Sequence, residues 1–117
     1  MNKKNRFPRG TRGLAAYELA MQVAENTLKM LDNLHAPGDL NSQTRRAVIS
    51  IPLNVAEGAG RRGKDRSYHF SIAYASGQEV MAALELIRRL NLVDQSEIDT
   101  LIRLMDRVNA LVYGLMR

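Results

Sequence analysis

Apolar residues recur every three or four positions through four successive stretches of this 117-residue chain, and nowhere do they alternate as a strand requires. That period places them on one face of a helix. Ala16, Leu19, Ala20, Val23, Thr27, Met30, Leu31 and Leu34 trace the first face and predict a helix from about Gly13 to Leu34. His35-Ala36-Pro37-Gly38 stops it, with His35 read as a partner of the helix C-terminus rather than a ligand. A second helix opens near Asp39 to Asn41, either of which can cap a free amide, and runs to about Gly58. The third and longest takes Asp65 or Ser67 as its cap and reaches about Leu92, with Phe70, Ala73, Gly77, Val80 or Met81, Leu84 and Ile87 along one face. Ala73 and Gly77, one turn apart, make room for another backbone. Asp94-Gln95-Ser96-Glu97 reads as a capping box, and Ile98, Leu101, Met105, Val108, Val112 and Leu115 form the fourth face. The expectation is an all-α, antiparallel up-down four-helix bundle over residues 13–117, behind a basic, flexible tail over residues 1–12.

The second helix carries more than a core face. Pro52 lies too deep to be a first-turn proline; it removes an amide donor, crowds the carbonyl of Val48 and is expected to kink the helix. Arg46, Ser50, Asn54, Glu57 and Arg61 share one side, while Thr44, Val48, Ile51, Val55 and Ala59 lie opposite. Ile49, Leu53 and Ala56 make a third, apolar strip. The third helix likewise has a second line, Ala75, Glu79, Ala82, Leu86 and Leu90. These strips read either as a wide core face or as a subunit interface, and large exposed apolar patches on a monomer favour the interface. Gly58 and Gly60 are expected to end helix two and release a basic loop, Arg61 to Lys64.

Composition narrows the chemistry. With no cysteine there is no disulfide, thiolate nucleophile or thiolate metal site, and the two histidines, His35 and His69, have no ligand partner at helical spacing. Gly58-x-Gly60-x-x-Gly63 follows a helix instead of a strand, so it is a loop and not a dinucleotide fingerprint. No Ser or Tyr has a visible base partner. The expectation is a non-enzyme with no metal or cofactor. No apolar run approaches the roughly 20 residues that span a bilayer, and the N-terminus has no apolar signal core, which points to a cytoplasmic protein.

The net charge of +5 is local. Lys3, Lys4, Arg6, Arg9 and Arg12 open the chain with no acid among them, and Arg45, Arg46, Arg61, Arg62, Lys64 and Arg66 face only Glu57 and Asp65 in the middle. From Ser67 onward acids and bases nearly balance. Such patches are the footprint of polyanion binding, or else they keep the surface solvated. Tyr68, His69 and Phe70 follow the basic loop, and arginines beside aromatics hold phosphates and stack single-stranded bases. Phe70 also fits the start of the core. Arg45 and Arg46, at the far end of helix two, mark either a channel along the bundle or two separate rims. Asn54 and Glu57 have two readings: an exposed polar site with Arg61, or structural bonding, with Asn54 near the proline and Glu57 paired to Arg46, Arg61 or a neighbouring subunit.

Ser42-Gln43-Thr44-Arg45-Arg46-Ala47-Val48-Ile49-Ser50-Ile51-Pro52-Leu53-Asn54-Val55-Ala56-Glu57-Gly58, followed by Arg61-Arg62, resembles the bacterial four-helix-bundle family of intervening-sequence proteins, encoded in insertions of some large-subunit ribosomal RNA genes and as free-standing genes. It is similar, too, to the accessory variability protein of diversity-generating retroelements. The resemblance covers nearly the whole chain and implies a pentamer, a ring of five subunits around a basic central channel. Charge and resemblance together point to an oligomer that binds nucleic acid, RNA before DNA, and by analogy holds a partner protein on it. The alternative is a structural or protein-interaction module whose basic charge is incidental.

Overall fold

The structure is a computed structural model that describes Phe7 and residues 11–117. Four helices account for most of these residues: α1 (Arg12–Asp32), α2 (Leu40–Ala59), α3 (Gly63–Arg89) and α4 (Gln95–Leu115). No strand occurs among the described residues. Each helix packs on its neighbour in sequence and α1 closes on α4, giving a four-helix bundle 41 × 25 × 24 Å in extent. The tail anticipated over residues 1–12 lies outside the described residues except for Phe7, Thr11 and Arg12. Phe7 is buried and stacks on Tyr17 with ring centroids 5.3 Å apart. Arg12 opens α1 and donates to the carbonyl of Gly114 at 3.2 Å, tying the start of α1 to the end of α4.

The core is aliphatic apart from Phe7, Tyr17 and Phe70. Val23, Leu31, Val48, Ile51, Val55, Phe70, Val80, Leu84, Ile87, Ile98, Met105 and Val108 are all fully buried, and they come from the faces that the three-and-four spacing marks. Gly77 is one place where two helices approach closely: a Cβ there would fall 1.9 Å from Oδ1 of Asn109, whose Nδ2 donates to the Gly77 carbonyl at 3.2 Å. Pro52 is buried within α2, which continues on both sides of it.

Several boundaries differ from the spacing-based ones, each for a local reason. α1 ends at Asp32 with Asn33, not His35, as its C-cap. Asn41 of α2 reaches back to finish that end, donating to the carbonyls of Leu31 at 3.0 Å and Leu34 at 3.5 Å. α3 begins two residues before Asp65, because Gly63 at φ +57° turns the chain directly into the helix; Asp65 is then a first-turn acid. The expected basic loop is correspondingly shorter, and Lys64 and Arg66 belong to α3. Gly58 does not end α2. It sits inside the helix, buried against Phe70, and Gly60 is the cap. At the other end of α3, Asn91 adopts φ 57°, Asn91 N–H bonds to Arg88 C=O and Leu92 N–H to Ile87 C=O, which is a Schellman ending.

The N-terminus of α4 has a pH consequence. Asp94 accepts from the Ser96 hydroxyl and from the Ser96 amide at 3.2 Å. The Ser96 hydroxyl bond, then the Glu97 amide, hold its carboxyl below the ordinary 3.8. Asp99 is lowered too, first by its hydrogen bond from Arg88 at 2.7 Å. A carboxylate whose pKa is lower in the folded state adds stability above its unfolded pKa, and that stability is lost as pH falls through the folded value. The thermal midpoint is therefore expected to hold to about pH 5 and fall below about pH 4. Asp94→Asn and Asp99→Asn together should flatten that fall in a pH series of melts. An unchanged acid limb in the double variant would remove these two groups as its source.

Candidate nucleic-acid interface

The corner between α2 and α3 gathers four of the six candidate cations. Arg61, Arg62, Lys64 and Arg66 are all exposed there within six residues of sequence. Arg61 Nε lies 2.9 Å from Glu57 Oε2, an i,i+4 pair that both side chains share with solvent, so it orients Arg61 without hiding its charge. The Arg66 guanidinium sits 5.0 Å above the ring of Phe70. Among the described residues no ion pair holds Arg62, Lys64 or Arg66. Tyr68 projects from the next turn at 61% exposure, with His69 edge-on to it at 5.4 Å. Phe70 turns inward and is core.

Arg45 and Arg46 are elsewhere. Arg61 lies fifteen residues beyond Arg46, about 22 Å along a straight helix at 1.5 Å per residue. Within one chain the two basic clusters are separate. Arg45 has a structural occupation: its Nε donates to Asn41 Oδ1 at 2.6 Å and a terminal nitrogen reaches Asp32 Oδ1 at 2.7 Å, bracing α2 against the end of α1. Arg46 is exposed.

The polar stripe on α2 is bonded within the chain. Asn54 Nδ2 donates to the Ser50 carbonyl at 2.9 Å and the Ser50 hydroxyl at 3.0 Å. With the amide nitrogen so committed, Oδ1 accepts from His69 Nδ1 at 3.0 Å. Ser76 Oγ donates to Ser50 Oγ at 2.9 Å. A chain of half-buried polar groups, Ser76–Ser50–Asn54–His69, thus joins α2 to α3 directly beside the cationic corner. Sequence spacing offers no sign of Ser76 or of the His69 bond, since both depend on how α3 lies along α2. Among the described residues no three His, Asp or Glu side chains gather as a metal site.

Most side chains of the extra apolar strips are exposed, while Ala56 is half-buried against the core. Ile49 is 42% and Leu53 62% exposed on α2, and Leu86 and Leu90 are each 44% exposed on α3. Ala75 and Ala82 are exposed as well. Among the described residues no helix is long and apolar enough to cross a membrane.

Comparison with known proteins places this geometry. A family profile described as 23S rRNA-intervening sequence protein matches residues 12–114. No curated protein sequence matches the chain. Among solved structures, a protein of unknown function from the S23 ribosomal protein family of Bacteroides thetaiotaomicron superposes with a TM-score of 0.82 over 91% of this chain and 98% of its own, at 16% identity. At that identity the likeness speaks for the fold alone.

Proposed function

Because this chain belongs to the 23S rRNA-intervening sequence protein family, we propose that it is a non-enzymatic, cytoplasmic homo-oligomer that binds RNA through the corner between α2 and α3. The observation that carries this reading is Arg61, Arg62, Lys64 and Arg66 held exposed within six residues. Arg62 and Lys64 sit at the N-terminal end of a helix, where the dipole disfavours positive charge. Concentrating cations there costs local stability, and a polyanion bound to them offsets that cost. The family's description supports ribosomal RNA as the first probe, and the resemblance implies five subunits. Arg45 and Arg46 belong to a second rim, which an assembly brings near the first or leaves apart.

The exposed strips on α2 and α3 support self-association and also favour a second reading, a protein-interaction module that holds a partner. Salt separates the two. Each phosphate contact contributes about 0.7 to 0.9 to the slope of log affinity against log salt. Fluorescence anisotropy with a structured ribosomal RNA fragment, an unrelated RNA and a duplex DNA is expected to show binding that weakens linearly on this scale. Replacing all four corner cations with Gln should lower the slope by roughly 3 and weaken binding at physiological salt by a hundredfold or more. No binding by the unaltered protein at that salt would remove RNA from the proposal and leave the interaction module, whereas a slope that the four substitutions leave intact would move the RNA site away from this corner.

A further inference from the structure

Resting on the RNA reading above, we propose that the α2–α3 corner takes unpaired nucleotides, with Tyr68 as the platform on which a base stacks while the surrounding cations hold the adjoining phosphates. The aromatic side chains differ in what they already touch. Tyr17 is stacked on Phe7, Tyr74 and Tyr113 lean together at 5.7 Å, and Phe70 is 1% exposed beneath Arg66. Tyr68 is the most exposed of them at 61%, and its ring neighbour is His69, edge-on at an interplanar angle of 70°. A T-shaped neighbour covers at most one face of a ring, so at least one π-face of Tyr68 is not covered by His69. His69 is in turn held by Asn54 at 3.0 Å, which fixes the ring against which Tyr68 rests.

The cations stand where phosphates adjoining a stacked base would pass. Lys64 lies one helical turn before Tyr68 and shares its face, and Arg61 and Arg62 form the turn immediately before. Cations alone bind any polyanion, paired or unpaired. An exposed tyrosine among them discriminates, because bases in a duplex are stacked on one another and the deep major groove of an RNA helix keeps side chains from them. Stacking on an aromatic ring is also tolerant of sequence, since every base has a π-face. The corner therefore selects strand state and not sequence.

The test is anisotropy with a fluorescein-labelled oligouridylate and an RNA duplex of equal length. The oligouridylate is expected to bind more tightly. Tyr68→Ala should weaken it roughly tenfold while leaving the duplex unchanged. Tyr68→Trp should retain the affinity, and because the chain has no Trp, its indole fluorescence reports the site alone and should be quenched as oligouridylate is added. Equal binding of strand and duplex, or Tyr68→Ala binding like the unaltered protein, overturns the stacking role while the RNA reading stands. A loss that coincides with a change in sedimentation also overturns it and assigns Tyr68 to a contact with a second copy. Failure of both probes to bind the unaltered protein overturns this inference, and the structured ribosomal RNA fragment then decides the reading beneath it.

Discussion

Gly58→Ala is expected to destabilise the bundle by about 1–3 kcal/mol and Phe70→Ala by about 3–5 kcal/mol, against a total of roughly 5–15 kcal/mol for a domain. The two effects have one origin. A Cβ at Gly58 would fall 2.7 and 2.8 Å from two ring carbons of Phe70 and 3.2 Å from the Arg66 carbonyl. Phe70 is 1% exposed, so its ring has no free space to retreat into. Helix propensity alone predicts the opposite sign for Gly58→Ala, a gain of up to about 1 kcal/mol, because Gly58 lies inside α2. In the Phe70→Ala background the clash with the ring is gone, only the 3.2 Å approach to the Arg66 carbonyl remains, and the added methyl fills part of the cavity, so there Gly58→Ala should cost much less than in the unaltered protein. Urea unfolding followed by helical circular dichroism reads all four corners of this cycle. Additive effects would mean that the helices do not meet at this pair.

That pair also shows where sequence reasoning stops. The four helices were legible because their signals are local: the three-and-four spacing, the Pro37-Gly38 break and the cap at Asp94 all act within a few residues. A glycine near a helix end reads locally as a terminator, and nothing within reach of Gly58 announces an aromatic ring twelve residues on. Arg45 was grouped with the basic patch by its charge, whereas its geometry is set by Asp32, thirteen residues earlier, and Asn41. The start of α3 was misplaced because Asp65 is a good cap by type, while Gly63 supplies a backbone turn that makes an earlier start possible. The polar motif on α2 was visible, but its partners His69 and Ser76 follow only from the register of α3 along α2.

The motif residues in this stretch turn out to serve the joint between α2 and α3. Ser50 and Asn54 bond across it, Gly58 admits Phe70, and Glu57 holds Arg61 at its rim. A rigid joint at this corner fixes the positions of cations and of Tyr68, which long side chains on a loose loop would lose to conformational entropy. Structure and proposed binding thus use the same few residues for different atoms: backbone proximity inside, charge and a ring outside.

Ile49→Gln with Leu53→Gln is expected to dissociate the proposed oligomer to the 13.1 kDa monomer without unfolding it. In the single chain these side chains are 42% and 62% exposed, so replacing them removes little of the monomer's own core. Across a subunit contact each would forfeit about 1 kcal/mol of apolar burial, and an amide placed there without a partner costs a further share. Together that is about 3 kcal/mol per contact, about a hundredfold in association. Sedimentation at several concentrations reads the mass directly, and the melting temperature should rise with concentration for the unaltered protein but not for the variant. An unaltered protein that sediments as a monomer throughout, or a variant that keeps its mass, would remove the strips as the interface. Both substitutions are neutral and leave Arg61, Arg62, Lys64 and Arg66 in place, so each corner keeps its charge. RNA affinity should nevertheless fall, because one strand that meets several corners gains from their high effective concentration and a strand that meets one does not. A monomer that binds a long RNA as tightly as the assembly would show that a single corner suffices.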